Sequence, residues 1–207
     1  MLFDLHVHTQ LSSCSCLRLE EILAQARARG LDGVCITDHD TMAAGRQLRE
    51  GLQSDGLVVV LGMEYTTSQG DFLLFGPFEN LPLNLDAATL LPMVEKWGGV
   101  AVSAHPFRRV RPADPTILAG AEGLVLERIN GRNSHRENQQ AESWLRRYPL
   151  TACGGSDAHC LEELGRVVTQ FQRPVQARQD LVAALRSGAC EGRWNPYFES
   201  ARLVASF

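Results

Sequence analysis

The 207-residue chain has no apolar run near the roughly 20 residues that cross a bilayer, and its longest, such as GLVVVLGM, stop well short. That excludes a membrane-spanning helix. Proline and glycine, at 9 and 18 residues, stay near ordinary usage, and no internal repeat or low-complexity tract is present, which excludes collagen-like and disordered chains. Charge of one sign is lacking too. The 24 acidic and 20 basic residues sum to −4, too little for a global field that would hold long nucleic acid or an anionic membrane. Local basic patches stay open. The opening MLFDLHVHT has neither a basic start nor a long apolar core, so a cytoplasmic location is expected, and with it six reduced cysteines. Neither GGV at 98–100 nor CGGSD at 153–157 makes a Walker or dinucleotide fingerprint, and Ser156 lacks the Gly-x-Ser-x-Gly elbow of a serine hydrolase.

With 44% hydrophobic and 21% charged residues, the composition is that of a soluble globular protein, read as one domain over 1–207. Eight short apolar runs read as strands: LFDLHVH, GVCIT, LVVVLG, DFLLFG, GVAVSA, GLVLE, LTACG and RVVTQF. Helical patterning falls between them at 19–29, 41–52, 90–97, 137–148 and 179–186. This alternation predicts a parallel α/β protein whose sheet is buried on both faces. The stretches 77–92 and 106–118 read as long loops of functional type.

The chemistry lies where the strands end. His6 and His8 stand two apart in the first strand, so both imidazoles share one face. Later strands run into Asp38-His39-Asp40, Glu64, His105, Glu127 and Asp157-Ala158-His159. Five of the six histidines occupy such positions beside an acid; only His135 stands apart. One such histidine is an ordinary surface or core residue; the joint pattern, at the C-terminal ends of parallel strands, points to metal. Imidazole plus carboxylate without obligatory thiolate suits Zn, Mn or Fe. Glu64 can bridge two ions, with His6, His8 and Asp157 completing one site and His105 the other. Such a pair clamps the attacking and leaving oxygens of a displacement at phosphorus and makes water a nucleophile at neutral pH.

In this order, DLHVHT, ITDHD, GME, the HPF after a strand, LVLERINGRN and GGSDAH resemble the PHP family, the polymerase and histidinol phosphatase metal-dependent phosphoesterases. The likeness runs from position 3 to about 170. It implies a distorted seven-stranded (β/α) barrel, TIM-barrel-like, with the metal site at the C-terminal ends of the strands, two or three divalent ions, and hydrolysis of phosphate esters. Carried over by position, His6, His8, Glu64 and Asp157 would hold the first metal, Glu64 and His105 the second with Glu127 nearby, and His39 and His159 a third. Members commonly add an acid shortly after the first motif, whereas here QLSSCSCL has none. Cys14, Cys16 or Asp71 are the candidates to replace it, while Cys35, Cys153 and Cys190 read as packing residues.

Asp4 and Asp38 precede ligand histidines and are candidates to fix their tautomers, Asp38 being also a candidate catalytic group; Asp40 could cap a helix starting near Thr41. Arg108 and Arg132 are the chosen phosphate clamps from a set that includes Arg109 and Arg111, because guanidinium meets phosphate bidentately. Asn130 is a candidate substrate contact, and His159 a candidate proton donor to the leaving oxygen. The expected activity is metal-dependent hydrolysis of a small phosphorylated substrate, extending to a nucleotide or short oligonucleotide. Two other readings stay open: a metal-stabilised module that serves a partner without catalysis, and an amidohydrolase-like enzyme cutting a C–N or C–O bond. The second often uses a carbamylated lysine, and Lys96, the single lysine, lies in a helix-like stretch rather than at a strand end.

Overall fold

All eight apolar runs form strands in the computed structural model, which describes residues 1–198 and so leaves 199–207 of the expected domain outside it. The strands are β1 (Leu2–Val7), β2 (Gly33–Ile36), β3 (Gly51–Leu52), β4 (Val58–Leu61), β5 (Met63–Thr67), β6 (Gly70–Phe75), β7 (Val100–Ala104), β8 (Val125–Asn130), β9 (Thr151–Gly155), β10 (Val167–Phe171) and β11 (Cys190–Trp194). The helices are α1 (Leu19–Ala26), α2 (Ala87–Lys96), α3 (Pro115–Gly120), α4 (His135–Arg147) and α5 (Arg178–Ser187). Their ends follow local chemistry. Asp86 caps α2 through the Thr89 N–H at 2.8 Å, Ser134 and Glu137 form a capping box on α4, and Gly188 stops α5 at φ 70°.

The expected helix over 41–52 does not form. Only a short 3-10 turn at Ala43–Arg46 appears, followed by β3, because Gly45 and Gly51 interrupt the stretch and Gly51 takes φ +106°, outside any helix. Asp40 accepts the Thr66 N–H at 2.8 Å instead of capping a helix. In the other direction, the two expected loops each contribute a helix: α2 starts at Ala87, and α3 forms behind Asp114.

The strands lie in two mixed sheets, ordered β11-β10-β1-β2-β4-β3 and β5-β6-β7-β8-β9. Pairing is parallel for β1–β2, β2–β4, β7–β8 and β8–β9, and antiparallel elsewhere. No closed barrel is present among the described residues, so the α/β fold stands while the expected distorted seven-stranded barrel is not confirmed. Closure needs a continuous ladder. Between the two sheets there are only single bridges, Val7 with Ala158 and His39 with Glu64. Gly62, between β4 and β5, lets the chain pass from one sheet to the other; a Cβ there would lie 2.7 Å from the Leu74 carbonyl oxygen.

Two apolar cores hold the sheets. One collects Leu19 and Ile22 of α1, Leu90 and Val94 of α2 and Ala141 of α4 against Val34, Val59, Phe72 and Leu126. The other joins Phe3, Leu5, Val60, Leu73, Val102 and Val125 to Leu181 and Leu185 of α5, with Cys35, Cys153 and Cys190 packed in it as expected. Both bridges between the sheets fall at the end where β1, β2, β7 and β9 deliver their polar residues.

Asp4 ties that end together, but not by touching an imidazole as the sequence suggested. Its carboxylate accepts the backbone N–H groups of Ser156 (2.9 Å), Gly165 (2.8 Å) and His6 (3.2 Å). Burial pushes this carboxyl up to about 6 despite those donors. An acid whose folded pKa is raised favours the fold while protonated, so its contribution is full below about pH 4 and is lost as pH climbs through about 6. The swing is about 3 kcal/mol. In chelator-treated buffer, Asp4→Asn is therefore expected to gain up to that amount relative to the parent chain between about pH 4 and pH 7.5, measured by urea unfolding. Parallel pH profiles for the two proteins would refute the assignment.

Candidate metal centre

Period-two geometry in β1 brings His6 and His8 to one face, with their Nε2 atoms 3.0 Å apart. Glu64, fully buried near the start of β5, reaches four imidazoles: its Oε2 lies 3.2 Å from His6, 3.1 Å from His8 and 3.2 Å from His39, and its Oε1 2.8 Å from His105. Asp157 Oδ1 approaches His6 at 3.5 Å, His8 at 3.4 Å and His159 at 3.4 Å. Three groups of donor atoms result: His6 with His8 and Asp157; His6 with Glu64 and His105; and His8 with His39 and His159. Backbone strain helps aim them. His105 (φ 32°) and Asp157 (φ 56°) sit in the left-handed region that side-chain-bearing residues avoid.

A surrounding layer fixes tautomers. The Nδ1–H of His6 donates to Glu127 Oε1 at 3.0 Å, which leaves Nε2 as the free lone pair. Ser12 Oγ donates to Asp38 at 2.6 Å and so accepts from His8 Nδ1 at 3.3 Å and from the His39 N–H at 3.0 Å. Asp38 thus acts on His8 only through Ser12, and also holds the Thr9 N–H at 2.7 Å. Its hydrogen bonds go to Thr9 and Ser12 and it joins none of the three donor groups, an arrangement that positions the histidines. Nothing in QLSSCSCL except a hydroxyl four residues after His8 could have signalled Ser12.

Glu127 belongs to the same layer. Its second oxygen accepts the His105 N–H at 2.7 Å and the Asn130 amide at 3.0 Å, and it joins none of the three donor groups, so in this arrangement it orients two histidines. Asn130 is fully engaged within the protein: its amide nitrogen serves Glu127 and Asp157, and its oxygen accepts Arg108 Nη2 at 2.9 Å and the Arg132 N–H at 2.9 Å. It positions, and has no free hydrogen for substrate. Arg108 reaches the site, donating to Asp157 at 2.6 Å, with Nη1 uncommitted. Arg132 pairs with Glu163 at 3.5 Å at the rim. Cys14 and Cys16 are exposed and join no donor group among the described residues; the Cys16 thiol donates to the His159 carbonyl. Asp71 is held by Arg111, not by the third group.

The electrostatics follow burial and neighbours. Burial opposes ionised Glu64 and Asp157, yet the surrounding histidines hold both well below the usual carboxylate range. Burial likewise opposes a charged His6, yet with no ion at the centre Asp157, Glu64 and Glu127 lift it well above the ordinary imidazole value; a cation bound there would take the place of the Nε2 proton and use that lone pair. Burial and the neighbouring histidines lower His39 and His159, so both imidazoles are neutral at pH 7. The Nδ1 of His159 lies 2.8 Å from the Asp157 carbonyl oxygen.

This donor set fits divalent ions. Two ligand atoms each about 2.1 Å from one ion lie about 3.0–3.4 Å apart at octahedral or tetrahedral angles. The contacts in the two groups that contain a carboxylate, 2.8–3.5 Å, bracket that spacing, and the donor atoms of the all-histidine group lie within 4.8 Å of one another. His105 also leaves a buried Nδ1 without a partner among the described residues. Facing Nε2 lone pairs among ionised carboxylates are reconciled by a cation at the centre.

The family model described as "PHP domain" matches residues 4–149, and one described as "PHP-associated" matches 135–190. Two uncharacterized proteins of Methanocaldococcus jannaschii are each 29% identical, one over 114 residues (50% of this chain and 67% of that protein), the other over 179 (83% and 70%). Among solved structures, PsfC from Pseudomonas syringae superposes with TM-score 0.76 at 21% identity, covering 99% of this chain and 95% of that one. A Bifidobacterium adolescentis protein assigned as a metal-dependent phosphoesterase gives 0.65 at 18% identity (88% and 95%). The lesion-specific endonuclease PfuEndoQ from Pyrococcus furiosus gives 0.67 at 15% identity, covering 92% of this chain but 57% of that one. At these identities the structural likenesses establish the α/β fold.

Gly155 is the cradle's tightest point: a Cβ there would lie 2.5 Å from the His6 Cβ and 2.8 Å from Glu127 Oε1. Gly155→Ala is expected to separate that pair and cut the metal bound per chain, read by elemental analysis, with the far-ultraviolet circular dichroism of the fold kept. Unchanged metal content would contradict this placement of His6 and Glu127.

Proposed function

The chain belongs to the PHP domain family, whose model spans residues 4–149, and on that premise we propose that it is a metal-dependent phosphoesterase. The observation that carries the reading is Glu64, one buried carboxylate shared by four imidazoles across the three donor groups. His6, His8, Asp157 and Glu64 would hold one ion, Glu64 and His105 a second, and His39 and His159 with His8 a third built of imidazole alone. Mn, Zn or Fe bound there supplies Lewis acidity toward a phosphoryl oxygen and an activated water nucleophile.

The chain's own residues do the rest. Arg108 is held by Asp157, Asn130 and Asn133 through Nε and Nη2, and its Nη1 would meet a phosphate oxygen beside the first donor group. Arg132, at the rim, is a second point of positive charge for the substrate. His159 gives its Nδ1–H to the Asp157 carbonyl and keeps an Nε2 lone pair, which suits a ligand better than the proton donor first expected. The substrates are phosphate monoesters or nucleotide-type phosphodiesters, and a cytoplasmic setting supplies both. A lysine carbamate cannot bridge this site: Lys96 closes α2 at the start of β7, while His105 follows the end of that strand. That disfavours the amidohydrolase-like reading.

Phosphate release from small phosphomonoesters is expected with Mn or Zn, to vanish with chelator, and to fall at least 100-fold in His105→Ala. Silence with metal demonstrably bound would overturn the enzyme reading in favour of a partner-binding module.

A further inference from the structure

Arg111 was one of several loop arginines in the sequence; the structure sets it apart. It takes φ 63°, a left-handed conformation, and from there grips Asp71 with two hydrogen bonds, Nε to Oδ2 at 3.1 Å and Nη2 to Oδ1 at 2.5 Å. The loop carrying it is clamped. The Ala113 N–H donates to the Pro106 carbonyl at 2.9 Å and the Asp114 N–H to the Gln69 carbonyl at 2.8 Å. Gly70 makes the close approach possible, since a Cβ there would lie 2.9 Å from the Ala113 Cα.

Asp71 is buried, opposite Ala104 in β7 and Thr66 in β5, while Glu64 pairs with Leu73. Asp71 and Glu64 are therefore diagonal neighbours on one face, about 7–8 Å apart at the backbone. That sets the Asp71–Arg111 pair beside the metal centre. Arg111 also lines a cavity of about 740 Å³ with the polar Thr66, Thr67, Ser68 and Asn84, the last also left-handed at φ 63°, and with Asp86, whose carboxylate is already engaged by the Thr89 N–H as the cap of α2. Two guanidinium donors are spent on Asp71 and three remain, on a half-exposed side chain that lines this cavity.

Resting on the phosphoesterase reading, we propose that this cavity is the leaving-group subsite and that Arg111, set by Asp71, recognises a second anionic group there, a carboxylate or phosphate on a hydroxylated small molecule. Asp71 is a positioning residue, and Arg111 discriminates between substrates.

The test compares matched pairs, glycerol phosphate with phosphoglycerate and fructose monophosphate with fructose bisphosphate, on the metal-loaded protein. The two-anion member is expected to have at least tenfold higher kcat/KM, carried by KM. Arg111→Gln, and Asp71→Asn/Arg111→Gln to avoid stranding a buried carboxylate, should collapse that ratio at least tenfold, with Arg111→Lys between. Calorimetric titration with the same pairs under chelation-free, turnover-blocking cold conditions reads the preference without catalysis. No preference in the parent protein, or one that survives in both variants, overturns the subsite. Preference in binding with no hydrolysis of either member would leave the subsite standing and overturn the phosphoesterase reading.

Discussion

A carboxylate buried among four imidazoles is the constraint on which the rest depends. Placing Glu64 there costs desolvation that no single hydrogen bond recovers, and the chain answers by bringing His6, His8, His39 and His105 to its two oxygens. Those residues come from β1, the end of β2 and the end of β7, while Glu64 itself sits in β5. The strands must therefore converge at one end, and the two sheets meet there through the bridges Val7–Ala158 and His39–Glu64. Site and fold share their closing contacts.

That coupling accounts for the strain. Among the described residues five non-glycine positions have positive φ, and His105, Asp157 and Asp40 adjoin the donor groups while Arg111 and Asn84 line the neighbouring cavity. Strain of this kind persists only where the surroundings over-determine it. Glu127 shows how: from β8 it holds the His6 ring and the His105 backbone at once, so one carboxylate sets the direction of two candidate ligands without joining their donor groups. Arginine, not lysine, does the corresponding work with cations, because a planar fork can grip one carboxylate and still present donors outward, as Arg108 and Arg111 both do.

Much of the site was legible in the sequence because metal-ligand residue types stand at strand ends, and strands were legible from runs of Val, Leu and Ile. His6, His8, His39, Glu64, His105, Asp157 and His159 all fall in the three donor groups. What failed was long-range. Sheet closure depends on whether β4 pairs with β5, which no local pattern encodes, and of the β5–β6 hairpin only β6 stands out as an apolar run. The stretch 41–52 carries helical spacing, but Gly51 needs a backbone angle that spacing does not reveal. Glu127, Asn130 and Asp38 were recognised as polar and near the chemistry; only their hydrogen bonds separate positioning from contact. Ser12 was invisible for the same reason. Arg111 could be seen but not ranked, since its pairing with Asp71 crosses 40 residues.

The central claim is that Glu64 is the shared hub, and the most direct measurement is metal stoichiometry together with phosphate release for Glu64→Gln beside the parent protein. The account predicts loss of at least one metal per chain and loss of turnover together, with the remaining chain folded. A glutamine variant that keeps its full complement of metal and its rate would contradict it.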